Sequence, residues 1–89
     1  FNTVRQLRKL IVQCHPDLVH SNGNKAHLLT WLATPSRIGR VWYLHDFLGS
    51  RPLIRRMLQP AARGLLGALA VSKAVGEDAK SALPGLPVE

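Results

Sequence analysis

A single cysteine, Cys14, stands among the 89 residues, so no intrachain disulfide can form and no cysteine-based zinc site can be built. That usage suits a reducing compartment. Acidic residues are also scarce: five Asp and Glu against twelve Lys and Arg leave a net charge of +7. Long apolar runs are missing. The stretch from Leu65 to Val71 is broken by Gly67, and Val41 to Leu44 is shorter still. Both fall far below the ~20 residues needed to span a bilayer. No internal repeat occurs, and neither an HExxH or HxH pair nor a GxxxxGK[ST] loop is found. The usual spacings of zinc hydrolases and nucleotide phosphate loops are therefore absent. No charged segment with an apolar core follows Phe1, so no secretory leader is expected. Pro87-Val88-Glu89 stops at what reads as the start of a strand. Both ends read as cuts in a longer polypeptide.

What is present describes a folding chain. Hydrophobic residues make up 46% and charged residues 19%, and mean hydropathy is +0.02. Such a composition argues against intrinsic disorder and low-complexity fibres. A compact chain of this length buries roughly 60–65% of its extended surface, enough for a modest core. The basic surplus, with a pI near 10.9, implies an anionic partner: nucleic acid, a phosphate-bearing ligand or an anionic membrane.

Apolar residues at Val4, Leu7, Leu10, Ile11 and Cys14 have helical spacing, with Arg5, Arg8 and Lys9 on the other face and Asn2 or Thr3 as cap. Pro16 ends that helix. Asp17 to Ser21 reads as a short strand, Asn22-Gly23-Asn24 as a tight turn, and Lys25 to Ala33 as a helix carrying Leu28, Leu29 and Leu32. Val41-Trp42-Tyr43-Leu44 is the strongest strand signal. Arg51 to Gln59 is helical, with Leu53, Ile54, Met57 and Leu58 on one side and Arg55 and Arg56 away from it. Pro60 must kink that helix or open a second one. Gly67 to Val71 reads as a buried strand, and Ser72 caps a helix running from Lys73 to about Leu83.

Strands alternating with helices of this length predict βαβ units around a parallel sheet, an α/β chain. The apolar character of Val41–Leu44 and Ala68–Val71 predicts strands covered on both faces. Ligands of such sheets bind beyond the carboxyl ends of the strands. Ser21-Asn22-Gly23, His45-Asp46 and Ser72-Lys73 fall there, all with hydrogen-bonding groups.

His45 can hydrogen-bond a substrate hydroxyl or move a proton near neutral pH, with Asp46 beside it. The ordinary alternative is a pair that merely caps a loop. Ser21 to Lys25 leads into a helix N-terminus, where backbone N–H groups and Lys25 can hold a phosphate or carboxylate, unless it is simply a capped turn. His15, His20, His27 and His45 have no metal-ligand spacing, so no metal site is assigned. Arg51, Arg55, Arg56 and Arg63 give a basic amphipathic helix suited to an anionic membrane surface, or else a solvated face. Trp31 and Trp42 fall on apolar faces and read as core. His15-Pro16-Asp17 after a basic helix resembles the signature of a J-domain, a co-chaperone module. A stand-alone basic module of that kind, or one that binds nucleic acid, is the alternative to an enzyme.

Three further segments point elsewhere. His20-Ser21-Asn22-Gly23 with Lys25-Ala26-His27 comes first. Trp42-Tyr43-Leu44-His45-Asp46-Phe47 with Ser50-Arg51-Pro52-Leu53 follows, then Ala70-Val71-Ser72-Lys73-Ala74-Val75. In this order they resemble the N-terminal domain of family 4 (group 1) glycosyltransferases, over nearly the whole chain. Pro16-Asp17-Leu18-Val19-His20 resembles an early strand of that domain, and Leu83 to Val88 its lead into the last one.

The resemblance implies a GT-B enzyme with two Rossmann-like domains facing one cleft. Residues 1–89 would be a partial N-terminal, acceptor-side domain, without its first strand and glycine-rich loop and without the C-terminal donor-binding domain. The implied reaction is retaining transfer of a hexose from a nucleotide sugar to a saccharide or lipid-linked acceptor, with no metal or other cofactor. A cytoplasmic enzyme, peripheral at the inner face of the membrane, is the implied setting, and no nucleic acid is expected as partner. His45 matches the family histidine that contacts the donor sugar, and Ser72 the serine after the following strand. Ser21, Asn22, Gly23, Lys25 and Asp46 would line the cleft. Arg40 stands where the family often has proline.

Overall fold

A computed structural model describes residues 2–89; Phe1 lies outside the described residues. Helices and strands alternate along the chain: α1 (Asn2–Cys14), β1 (Leu18–Asn22), α2 (Asn24–Ala33), β2 (Gly39–Leu44), α3 (Pro52–Ala62), β3 (Gly67–Ala70) and α4 (Lys73–Ala82). The strands form one parallel sheet in the order β1-β2-β3. Val88 adds a parallel bridge to Ala68 on the far side of β3. Two backbone bonds frame it, from Ala68 N–H to Pro87 C=O and from Glu89 N–H to Ala68 C=O. The strand start expected at Pro87-Val88-Glu89 is therefore real. The Rossmann-like α/β order is the one the sequence predicts, and three strands exclude the all-helical J-domain.

Local chemistry explains the boundaries. α1 ends where His15 takes a left-handed conformation (φ 51°) ahead of Pro16, a stop built from an αL residue and a proline. Asn2 and Thr3 lie inside α1. Arg51 is the N-cap residue of α3 and Pro52 opens it, where the missing N–H costs nothing. Pro60 sits in the last turn of that same helix, so no second helix begins there.

Each crossover steps in the same direction across the sheet. The right-handed rule then sends α2, α3 and α4 to one face. On that face lie Trp42 and Leu44 of β2 and Ala68 of β3, packed with Leu58 and Ala61 of α3, Val75 and Ala79 of α4, and Leu48 from the β2–α3 loop. Small side chains bring α4 close. A Cβ placed on Gly76 would lie 3.3 Å from the Ala70 Cβ.

The alternation along β2 is complete: Arg40, Trp42 and Leu44 are buried, while Gly39, Val41 and Tyr43 are half-buried. The other face of the sheet carries no helix among the described residues, and Leu18, Leu66, Leu69 and Val71 are exposed. The expectation of strands covered on both faces is corrected accordingly: the apolar runs are continuous, but the described chain covers one side. A second correction concerns α3. Its core-facing line is Ile54, Leu58 and Ala61, whereas Leu53 is 71% and Met57 44% exposed.

That reassignment is testable by denaturant unfolding. Leu58→Ala empties a wholly buried site and should cost about 2–5 kcal/mol. Leu53→Ala should stay within about 0.5 kcal/mol of the parent. Equal losses would restore the sequence-based face.

Candidate functional site

Parallel pairing brings the strand ends to one edge, with Asn22 beside Tyr43 and Leu44 beside Ala70. The ladder continues one step further, since Val71 N–H donates to Leu44 C=O. Gly23, His45-Asp46 and Ser72 therefore emerge together at the carboxyl edge, the ligand-binding edge of open α/β sheets.

Gly23 turns the chain from β1 into α2 at φ 95°, a conformation that suits glycine and strains other residues. Its carbonyl accepts the first bond of the helix from His27 N–H, at 2.9 Å. A Cβ at this position would lie 4.0 Å from His45 Nε2. The imidazole of His45 thus lies close to the backbone of the β1–α2 turn. Its Nδ1 is 3.6 Å from Asp46 Oδ1, with both side chains substantially solvated (42% and 37% exposed). At that separation the pair makes no hydrogen bond, and so exposed it adds little stability.

Beneath the turn lies a buried arrangement. Ser21 Oγ and His27 Nδ1 are 2.6 Å apart, and the His27 ring stacks on Trp42 with centroids 4.4 Å apart and planes 17° from parallel. Either tautomer of a neutral imidazole makes the serine contact. Burial is the main cause that lowers the His27 pKa from its ordinary 6.5 to about 4, aided by the charges of His45 and His20 and opposed by Asp46. The Ser21 hydroxyl is accordingly engaged under the turn rather than offered on its open side.

A third group fixes the loop after His45. The Asp78 carboxylate on α4 accepts from Leu48 N–H at 2.5 Å and from Gly49 N–H at 3.2 Å. A Cβ on Gly49 would meet Asp78 Oδ1 at 2.7 Å, so a side chain here would have to shift the carboxylate. On the open face, Tyr43 stands between His20 and His45, with ring centroids 6.3 and 6.4 Å away.

Of the residues singled out from sequence, Gly23 and His45 are brought together, and Asn22, Lys25 and Asp46 lie in the same two turns with Asn22 and Lys25 exposed. Ser72 shares the edge, but its hydroxyl accepts from Val75 N–H at 3.2 Å as the cap of α4. Arg51 and Arg63 flank α3, Arg56 is exposed on it and Arg55 is half-buried. Sequence reasoning gave no role to His27, Tyr43 or Asp78. Tyr43 was within reach, since it precedes His45 by one period of strand alternation. The other two act across a turn and across a helix, at spacings no local pattern marks.

Among the described residues no three His, Cys, Asp or Glu side chains come together as a metal-binding group. No described helix is long and apolar enough to cross a membrane. The chain matches Glycosyltransferase Family 4 over residues 1–87, and it belongs to that family. A comparison with curated proteins found no match.

The buried histidine predicts a pH dependence of definite sign. Between pH 6.5 and about 4 the unfolded chain binds a proton at His27 that the folded chain resists, so stability falls as pH falls through that window. The share owed to His27 is about 3 kcal/mol. Denaturant unfolding of parent and His27→Gln across the window should show a shallower slope for the variant. Parallel slopes would mean that the buried ring accepts the proton.

Proposed function

We propose that this chain contributes the acceptor-side wall of a retaining glycosyltransferase site, which transfers a hexose from a nucleotide sugar to a saccharide or lipid-linked acceptor. The observation that carries the proposal is the exposed imidazole of His45 at the carboxyl end of the central strand, close to the Gly23 backbone. Membership of the family over residues 1–87 supports the class of reaction.

His45 is the catalytic residue in this reading. Its ring hydrogen-bonds the transferred sugar beside the reacting carbon. As the bond to the diphosphate breaks, the leaving oxygen takes the electron pair and positive charge grows on the sugar ring. A fixed polar group at that point stabilises the developing charges more than the ground state. Asp46 lies beside the imidazole, and Asp78, through Leu48 and Gly49, fixes the loop that follows it. Asn22, Gly23 and Lys25 line the acceptor side, with Ser72 at the edge as the cap that fixes the start of α4.

In the full-length protein, His45→Ala should lower turnover by about 10²–10³-fold, the cost of losing one transition-state donor. Its thermal stability should stay near that of the parent, because the side chain is exposed. Turnover within a few-fold of the parent would remove His45 from the chemistry.

Approach to an anionic membrane is part of the same reading, supported by the outer face of α3. There Leu53 and Met57 are exposed beside Arg56, the mixed apolar and basic surface that interfacial helices present. Arg51, Arg55, Arg56 and Arg63 together can supply up to ~4 kcal/mol at an anionic surface. Sedimentation with anionic and neutral vesicles should show binding to the anionic ones alone, weakened by salt and by Arg55→Glu/Arg56→Glu. Equal binding to both vesicle types, or no loss in the double variant, would leave this face an ordinary solvated surface.

A further inference from the structure

Asp78 ties the loop after His45 to a helix of the core, and its hold reaches back to His45 itself. Its Oδ2 accepts from Leu48 N–H at 2.5 Å, and the Gly49 nitrogen lies 3.2 Å from both of its oxygens. Among the described residues no cation pairs with this carboxylate, so its charge is committed to the two amides. Such charge-assisted bonds are stronger than those between neutral groups. The mount is rigid. α4 is capped by Ser72 and buries Val75, Gly76 and Ala79. The Leu48 side chain is 1% exposed in the same core, and Leu48 C=O accepts from Arg51 N–H at 3.0 Å, which closes the turn into α3.

On its other side His45 follows the last rung of the sheet, where Leu44 C=O accepts from Val71 N–H at 2.9 Å. Only His45, Asp46 and Phe47 lie between that rung and the Asp78 contact. The imidazole takes no hydrogen bond among the described residues, and Asp46 at 3.6 Å is too far to supply one. The place of the ring beside the Gly23 turn is therefore set by its backbone, held at Leu44 by the sheet and at Leu48 by Asp78. A catalytic group has to stay within about 0.5 Å of its productive position. One of the two anchors that keep His45 there is a single carboxylate.

We propose that Asp78 is a positioning residue for the transfer reaction: through the Leu48 and Gly49 amides it holds His45 against the transferred sugar. This rests on the reading of His45 as the catalytic residue. Asp78 acts through its neighbours and needs no contact with substrate. Its loss frees the segment after Leu44 at one end and spreads the imidazole over positions of which few meet the sugar. The cost falls on kcat, because the His45 contact counts most in the transition state, while KM for the donor stays within a few-fold.

The test is steady-state kinetics of the full-length protein, at a temperature where circular dichroism shows every variant folded. Asp78→Ala should lower kcat by about 10- to 10²-fold, the scale of loss that follows a displacement of about 1 Å. Asp78→Asn keeps one oxygen for Leu48 N–H and should recover part of that loss. Gly49→Ala presses on the same carboxylate from the loop side, with its Cβ 2.7 Å from Oδ1, and should lower kcat in the same way. Glu77→Ala, which removes the neighbouring exposed acid on α4, should match the parent. In a His45→Ala background, Asp78→Ala should lower kcat no further, since both changes remove one function. A merely structural role would instead add in full to the loss from His45→Ala. Full additivity would overturn the proposal and leave the reading of His45 standing. So would a kcat within a few-fold of the parent in Asp78→Ala, or a rise in KM alone. Turnover untouched by His45→Ala would remove the reading of His45, and the role of Asp78 with it.

Discussion

Pairing of β2 on both of its edges is the constraint from which the rest of the structure follows. Because β1 and β3 both run parallel to it, each return crossing needs a helix, and the one-directional order sends those helices to a single face. The same pairing aligns three carboxyl ends that are far apart in sequence. A hydrogen-bond ladder thus does what no local motif could: it assembles one edge from the turns after residues 22, 44 and 70.

Placing polar side chains at that edge requires rigid support, and the core supplies it in a particular way. Trp42, wholly buried, is the floor on which His27 stacks. His27 in turn holds Ser21, the residue before the turn into α2. A neutral imidazole is well suited to this position because it is flat enough to stack and still carries a nitrogen for the serine. The burial that makes the stack favourable also keeps the ring uncharged. On the other flank, Asp78 replaces the missing regular structure of the β2–α3 loop with two backbone contacts. His45 is exposed, yet the turns on either side of it are fixed.

Much of this was legible in the sequence because it rests on local rules. β-branched and aromatic residues from Val41 to Leu44 marked β2, Pro16 and Ser72 marked helix limits, and the strand ends followed from topology. The reading failed where packing decides. The α3 face was misassigned since Leu53, Ile54, Met57 and Leu58 all suit an apolar stripe, and only the sheet beneath selects Ile54 and Leu58 together with Ala61. Ala61 and Ala79 are too small to stand out in a hydrophobic pattern, yet both are wholly buried. Strands with apolar residues on both faces announced cover on both sides, while helices of the described chain reach one. His27 and Asp78 were missed for the same reason: their partners are set by folding, not by spacing.

Charge completes the contrast between the two ends of the sheet. Asp46 and Asp78 sit around the His45 loop, where Asp78 accepts from two backbone amides. The remaining acidic residues, Asp17, Glu77 and Glu89, form no ion pair among the described residues, so the surplus of +7 is not cancelled within the chain. Solvent and salt can screen the exposed part of that surplus on α1 and α3. They screen Arg40 less, since it is only 9% exposed. The long-range attraction of this chain for anions is therefore a property of its surface helices and falls with ionic strength.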